Sequence, residues 1–461
     1  MVALTRTAKA LEGLAGADSI SVPLQNLAPG DSLQRFEYQK VTKLAPTRKM
    51  RMKLNKPIQL LAISAASLLA ASFLSACATL TVDFVYVSSA KAAGPNNYGE
   101  INVFEINSES GRMRQIITSP FPSGGRNPVA EAVSPDQADL YVVNEDDNSI
   151  VQFVIGNDGK LYPQNTVNTP GIFPLATAVS GSFLYVVDTY QPLPTCNPAS
   201  PCSGAVAVFP ILDKAQAAAL KPSQPADTLG TPIVNAAVSG SYWPLSLPGG
   251  AASDVFVPTA VTVAKSGPYV YVAGYDSNTS LGYVFGFTAG TDGTLTSIPG
   301  FPQAVGSHPS AIASDASGAN LYVTDSRQNL VYGFQINGGA LTTLSGSPFA
   351  TGGQPSAIVL DATGKYAFVA NGQDSNLSVY SVTSGNLSRL WSYITGTQPV
   401  AIGVDPSLNE YVYTANFLGN NVSGFQLNSS DGSLLNSQFS PSGSNANPTA
   451  VAAITHNGSK K

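Results

Sequence analysis

The run His308-Pro309-Ser310-Ala311-Ile312-Ala313, the turn Ala316-Ser317-Gly318, the strand Leu321-Tyr322-Val323 and the pair Gly338-Gly339 follow one another in a single short stretch, and the same order recurs along the chain. Its apolar opening is repeated in Pro355-Ser356-Ala357-Ile358-Val359 and Pro399-Val400-Ala401-Ile402-Gly403. The aromatic strand is repeated seven times, centred on Tyr86, Tyr141, Tyr185, Tyr271, Tyr322, Phe368 and Tyr413, at intervals of 55, 44, 86, 51, 46 and 45 residues. Units of about 40–50 residues that hold several short strands are the signature of propeller blades.

Each unit reads as four strands. Proline cannot donate to a ladder, so it marks the first residue of the innermost strand. That strand is small and apolar, as expected if neighbouring blades bury both its faces. The third strand alternates, as in Ser149 to Ile155 and Asn421 to Leu427, which places it nearer solvent. A tight turn follows, marked by Asp158-Gly159, Asp292-Gly293, Gly338-Gly339, Ser384-Gly385 or Asp431-Gly432, whose glycines supply the positive φ of a short hairpin. The region begins with a second-type strand, Phe84 to Val87, and ends with a first-type strand, Pro448 to Ile454, so the last segment can complete the first blade and leave no sheet edge open. The expected fold is all-β: a seven-bladed β-propeller of four-stranded antiparallel blades, with the N- and C-terminal strands closing one blade. The 86-residue step holds Pro232 to Leu247, faintly similar to Pro174 to Val187, and is read as an insertion around 212–257 in preference to a degenerate eighth blade.

Composition agrees with a turn-rich β protein: 42 Gly, 33 Pro, 43% hydrophobic residues and 11% charged. Residues 1–76 hold 10 Lys or Arg against 4 Asp or Glu, whereas residues 77–461 hold 13 against 24, a net charge of −11. An acidic surface without a basic cluster excludes nucleic acid as a partner. Arg51, Lys53 and Lys56 precede the apolar run Leu60 to Leu74, which ends in Leu74-Ser75-Ala76-Cys77. This is an export-signal pattern. Residues 50–76 are therefore read as a lipoprotein signal peptide starting at Met50 or Met52, and residues 1–49 as a doubtful or disordered leader. The propeller domain occupies 77–461. Cys196 and Cys202 flank five residues and are expected to form a structural disulfide in an exported chain.

Ring symmetry brings the residues before each initial proline to one mouth of the channel: Asn127, Phe173, Val257, His308, Gln354, Gln398 and Asn447. Proline restricts each of them to an extended backbone. Loops between second and third strands add Glu145, Asp146, Asp188, Asp276, Asp325, Arg327, Asp374 and Asn416 on the same face. Convergent amides and carboxylates around a concavity suit a small polar ligand such as a sugar, with Asn127, Gln354, Gln398, Asn447, Asp188 and Asp325 as the binding candidates. The competing reading is that these residues cap loops and turns. His308 is one of two histidines and the leading general-base candidate. No metal-ligating set and no cofactor motif is found, so neither a metal nor a cofactor is expected.

The Leu-Tyr-Val-x-Asn pieces and Asp-Gly-x-Leu turns resemble the lactonase-type seven-bladed propellers, the group of 6-phosphogluconolactonase-like proteins and YVTN repeats, over roughly residues 82–456. In bacterial lipoproteins the resemblance of residues 74–77 to a lipobox implies lipidation of Cys77 and, with Ala78 next, the outer membrane where the host has one. Tyr141-Val142-Val143-Asn144-Glu145 is similar to the family's Val-Asn-Glu piece, which implies a role for Glu145. The family's Pro-Arg-His element has no counterpart at the inner-strand starts. Two functions stay open. One is an exported, lipid-anchored, monomeric binding or interaction module in the cell envelope, whose partners are the membrane and a polar ligand or envelope protein. The other is a lactone hydrolase using His308, Glu145 and Arg327.

Overall fold

The computed structural model describes residues 81–93, 97–250, 253–406 and 411–456. The leader, the signal segment and Cys77 lie outside the described residues.

Seven antiparallel sheets of four successive strands form a ring, as the repeat predicts. The blades are numbered from the closing one. Blade 1 is built from Pro448–Thr455, Thr81–Ala93, Tyr98–Asn107 and Met113–Gln115, running from the axis outward. Its first two strands join the ends of the region, with Phe84 opposite Ile454 and Val85 opposite Ala453. The inner strands of blades 2 to 7 are Pro128–Val133, Ile172–Ser180, Phe256–Ala264, Pro309–Ser314, Pro355–Leu360 and Pro399–Val404, each packed against the next around the ring.

The core is not one mass but seven apolar layers, one between each pair of neighbouring blades. Phe84, Tyr86 and Val103 of blade 1, for example, meet Leu140, Val142 and Phe153 of blade 2. Burial peaks on the second strand: Asp139–Asn144, Tyr366–Asn371 and Tyr411–Asn416 are buried at every position. Two expectations are corrected here. The inner strand is not buried on both faces; in Pro309–Ser314 only Pro309 and Ile312 are buried, because the other residues border the axial channel. The third strand is not the solvent-facing one either, since Ser149–Ile155 is buried at all positions but one. Solvent is met by the outer strand, as in Leu161–Asn168.

The two strongest sequence signatures prove to be halves of one contact. The hydroxyl of Tyr86 donates to the carbonyl of Gly159 in the outer turn of the next blade at 3.2 Å, Tyr271 to Gly339 at 2.7 Å and Tyr322 to Gly385 at 2.7 Å. Those glycines have φ of 75°, 88° and 82°, a conformation only glycine adopts freely. In blades 6 and 7 a tyrosine two residues earlier does the same work: Tyr366 reaches Ser429 O and Tyr411 reaches Ser108 O. Each pin satisfies a buried hydroxyl and contributes about 1 kcal/mol to blade-to-blade adhesion.

Blade 3 departs from the pattern. Between its third strand, Ala205–Pro210, and its short outer strand, Trp243–Pro244, it carries residues 211–242 with one short helix, Lys214–Ala219, capped by Asp213 and Gln216. The insertion expected around 212–257 is shorter than that range, since the outer strand of blade 3 at Trp243–Pro244 and the start of blade 4 at Phe256 both fall inside it. Cys196 and Cys202 form a disulfide with Cα atoms 5.4 Å apart, in the loop between the second and third strands of the same blade.

Candidate functional site

A recurring Gly-x-x-Pro pattern, not singled out in the sequence, builds the mouth. It occurs as Gly125-Pro128, Gly171-Pro174, Gly306-Pro309, Gly352-Pro355 and Gly396-Pro399. The glycine lies against the Asn or Asp at or near the end of the second strand of its own blade: a Cβ added to Gly125 would fall 2.5 Å from Asn144, to Gly171 2.4 Å from Asp188, to Gly306 2.1 Å from Asp325 and to Gly352 2.6 Å from Asn371. Any side chain would push these buried residues out of place.

Five of the seven residues before proline do not take the extended backbone expected of them, while Val257 lies in a strand. Asn127, Phe173, Gln354, Gln398 and Asn447 have φ between 50° and 60°, in the left-handed region. In three of them an asparagine of the preceding blade stitches the backbone in place. Phe173 N–H donates to Asn148 Oδ1 at 2.7 Å, Gln354 N–H to Asn329 Oδ1 at 2.8 Å and Asn447 N–H to Asn420 Oδ1 at 2.9 Å. These blade-to-blade bonds outweigh the local preference that proline imposes on its predecessor.

His308 is held differently. Buried Asp325 accepts the backbone N–H groups of Ser307 and His308 on one oxygen and those of Arg327 and Gln328 on the other. Burial works to raise the Asp325 pKa, but the four donors from His308, Ser307, Gln328 and Arg327 outweigh it and hold the carboxylate below its ordinary range. Asp325 is therefore a positioning residue: it fixes the two chain segments that carry His308 and Arg327. The His308 ring lies on Tyr275 of blade 4 at 4.1 Å between centroids, with its Nδ1 buried and without a hydrogen-bond partner. Burial and the nearby Arg327 charge push the imidazole pKa down against the opposing pull of Asp325, so the ring is neutral at pH 7.

His308 and Arg327 line one cavity of about 480 Å³ together with Ser310, Ser356, Gln354 and Gln398, spanning blades 5, 6 and 7. Ser310 Oγ and Ser356 Oγ donate to the carbonyls of Pro355 and Pro399, the first residues of the next inner strands, each at 2.6 Å. Arg327 is exposed and makes no ion pair with any described residue. The arrangement offers a neutral imidazole, an unpaired guanidinium and several polar groups around a space of small-molecule size.

Glu145 and Asn127 are not in that cavity. They belong to blade 2, three blades from blade 5 and so as far around the ring as seven blades allow. Asn127 Nδ2 donates to Glu145 Oε2 at 2.7 Å, and burial together with Asp146 raises the Glu145 pKa. Asn447 also lies outside the cavity, in blade 1. Asp188 is wholly buried, accepts the Gly171 N–H at 3.0 Å and is pushed up to about 7 by its burial. One acidic residue was not anticipated at all: Glu131, on the inner strand of blade 2 where blade 5 has Ile312. Ser88 Oγ donates to its Oε2 at 2.5 Å, and burial raises its pKa to about 8. The only sequence signal was a charged residue inside an otherwise small and apolar strand.

The family described as "Lactonase, 7-bladed beta-propeller" matches residues 84–223 and 287–404, more than half of the chain. No curated protein sequence matches it. Among solved structures, a Pseudomonas aeruginosa periplasmic gluconolactonase is 18% identical, with a TM-score of 0.63 over 81% of this chain and 99% of that one. A Bacteroides fragilis protein described as a candidate 6-phosphogluconolactonase is 18% identical, with a TM-score of 0.61 over 82% and 99%. A Bacteroides uniformis protein with the same description is 17% identical, with a TM-score of 0.61 over 81% and 100%. At these identities the likeness establishes the shared fold.

Proposed function

This chain belongs to the lactonase family of seven-bladed β-propellers, and on that premise we propose that the cavity of blades 5 to 7 hydrolyses the lactone of an unphosphorylated sugar acid. The observation that supports it is the presence of His308 and Arg327 in one cavity with Ser310, Ser356, Gln354 and Gln398. In the proposed reaction neutral His308 takes a proton from water as its oxygen attacks the lactone carbonyl. Arg327 faces the oxygen on which negative charge develops. The ring C–O bond then breaks, the departing oxygen receives the proton back from the imidazolium, and the product is the open hydroxy acid. The amides and hydroxyls of the lining suit the sugar hydroxyls. A phosphorylated substrate fits less well, because a phosphate calls for a cluster of cations and, among the described residues, Arg327 is the only one lining the cavity.

Family membership favours this reading over a purely binding module. Export and lipidation at Cys77 remain part of the proposal on the strength of the signal pattern, and place the reaction in the cell envelope. Cys77→Ser should abolish incorporation of a labelled fatty acid; unchanged labelling removes the anchor. For the chemistry, acid release from unphosphorylated and phosphorylated aldonolactones is followed at constant pH. Wild type should accelerate the unphosphorylated set, and His308→Gln should lose about 100-fold in kcat/KM. Equal rates for the two proteins would discard the mechanism.

A further inference from the structure

Among the described residues the series of tyrosine pins has two gaps: Tyr185 of blade 3 makes no hydroxyl bond to the glycine turn of blade 4, and the chain of pins also stops between blades 2 and 3. Tyr141 stands in blade 2 where Tyr86 and Tyr322 stand in theirs; it is fully buried, and its hydroxyl has no hydrogen-bond partner. The cause lies in blade 3, where residues 211–242 replace the tight glycine turn whose carbonyl takes the hydroxyl elsewhere. A cavity of about 240 Å³ occupies this region. Tyr141 and buried Asp139 line it, and Asp136, Asp213 and Asp227 are exposed around it. Among the described residues no lysine or arginine lines it. It lies on the face of the ring opposite the mouth, because residues 134–138 follow the far end of the blade 2 inner strand.

Two demands are unmet there at once: an excess of negative charge, and a buried O–H without an acceptor. Asp136 uses Oδ1 on Ser134 Oγ and Ala138 N–H, and Asp213 uses Oδ1 on the helix N-terminus at Ala215 and Gln216, which leaves a second oxygen on each. Burial and the carboxylates of Asp139, Asp136 and Asp227 keep the Tyr141 hydroxyl protonated, so it persists as a donor. Among the described residues no three acidic, imidazole or thiol groups converge as metal ligands, so this cavity is not built to replace the water shell of a bare metal ion. A protonated amine answers the first demand and a hydroxyl oxygen the second. At ~30 Å³ per water the space equals about eight waters, enough for a six-membered sugar ring.

We propose that this cavity binds a compact protonated amino alcohol, amino sugars included, with the ammonium directed at the aspartates and a hydroxyl accepting from Tyr141. The site is independent of the mouth, so the failure of either leaves the other standing. Its test is calorimetric titration of the whole protein with glucosamine, ethanolamine, ethylamine, glucose and calcium chloride. Glucosamine and ethanolamine should bind, ethanolamine at least fivefold more tightly than ethylamine, and glucose should give no signal. Tyr141→Phe, which removes only the orphan hydroxyl, should lower ethanolamine to the level of ethylamine. Asp227→Asn, an exposed change that does not threaten the fold, should weaken both amines at least threefold. Equal binding of ethanolamine and ethylamine by wild type, glucose binding as tightly as glucosamine, no amine binding, or displacement of ethanolamine by calcium would each overturn the proposal.

Discussion

Blades 2 and 5 place the same four structural positions on opposite sides of one mouth and fill them with opposite chemistry. Before the proline stand Asn127 and His308; at the end of the second strand, Asn144 and Asp325; in the following turn, Glu145-Asp146 and Ser326-Arg327. Asn148 and Asn329 close the two turns identically, each with a left-handed backbone and each accepting an N–H from the next blade. The closing turns are therefore equivalent, but the backbone before the proline is not, since Asn127 is left-handed and His308 is held by Asp325; side chains and that local difference together decide what each blade can do. Asp325 gathers four backbone donors, whereas Asn144, equally buried, has no partner for either amide atom. Blade 5 is thus locked around a base and a cation, and blade 2 presents a carboxylate pair. Repetition of the fold does not repeat the site.

The comparison breaks most visibly through the two buried residues. Asp325→Ala leaves backbone donors without an acceptor and should cost about 3–5 kcal/mol in urea unfolding, whereas Asn144→Ala should cost no more than ~1–2 kcal/mol. Similar losses would show that the four bonds to Asp325 hold little. Because the folded pKa of Asp325 is depressed, its stabilisation is present above the unfolded value of about 3.9 and is lost as pH falls through the lower folded value. The acid limb of stability should accordingly flatten in Asp325→Asn.

Activity sharpens the same contrast. His308→Gln should reduce kcat/KM about 100-fold, Arg327→Met about tenfold, and Glu145→Gln less than threefold. A large loss from Glu145→Gln would place the reaction on the blade 2 side instead. Wild-type kcat/KM should fall on acidification with a midpoint below the ordinary imidazole value of about 6.5, since burial and Arg327 favour the neutral ring.

At the inner strands the expected effect depends on pH. Glu131, with its pKa raised to about 8, burdens the folded state only when ionised. That penalty is absent below the unfolded value of about 4.3 and complete above the folded one. Glu131→Gln should therefore gain stability relative to wild type as pH rises from 5 to 9, whereas Ile312→Val, at the same place in blade 5, should show a pH-independent loss of about 1 kcal/mol. A flat difference for Glu131→Gln would mean that the carboxyl is solvated.

Periodicity made the ring legible, because seven aromatic strands and their glycine turns can be counted without coordinates. What joins them could not be counted: Tyr322 and Gly385 are 63 residues apart, and only packing shows that one binds the other. The mouth is less uniform than the repeat. Symmetry placed every residue before a proline in one circle, but a circle has a diameter, and Glu145 lies across it from His308. The left-handed backbone of Gln354 and Asn447 was hidden for a related reason, since it is dictated by Asn329 and Asn420 in another blade and not by the adjoining proline. Asp325 had the right address and a different task, because sequence shows a carboxylate but not the amide groups that surround it.

The strand Pro448–Thr455 completes a sheet whose other members begin at Thr81. During translation the first blade must therefore wait for almost the whole chain to leave the ribosome before its innermost position is filled. Until that moment Phe84 and Val85 present an unzipped edge.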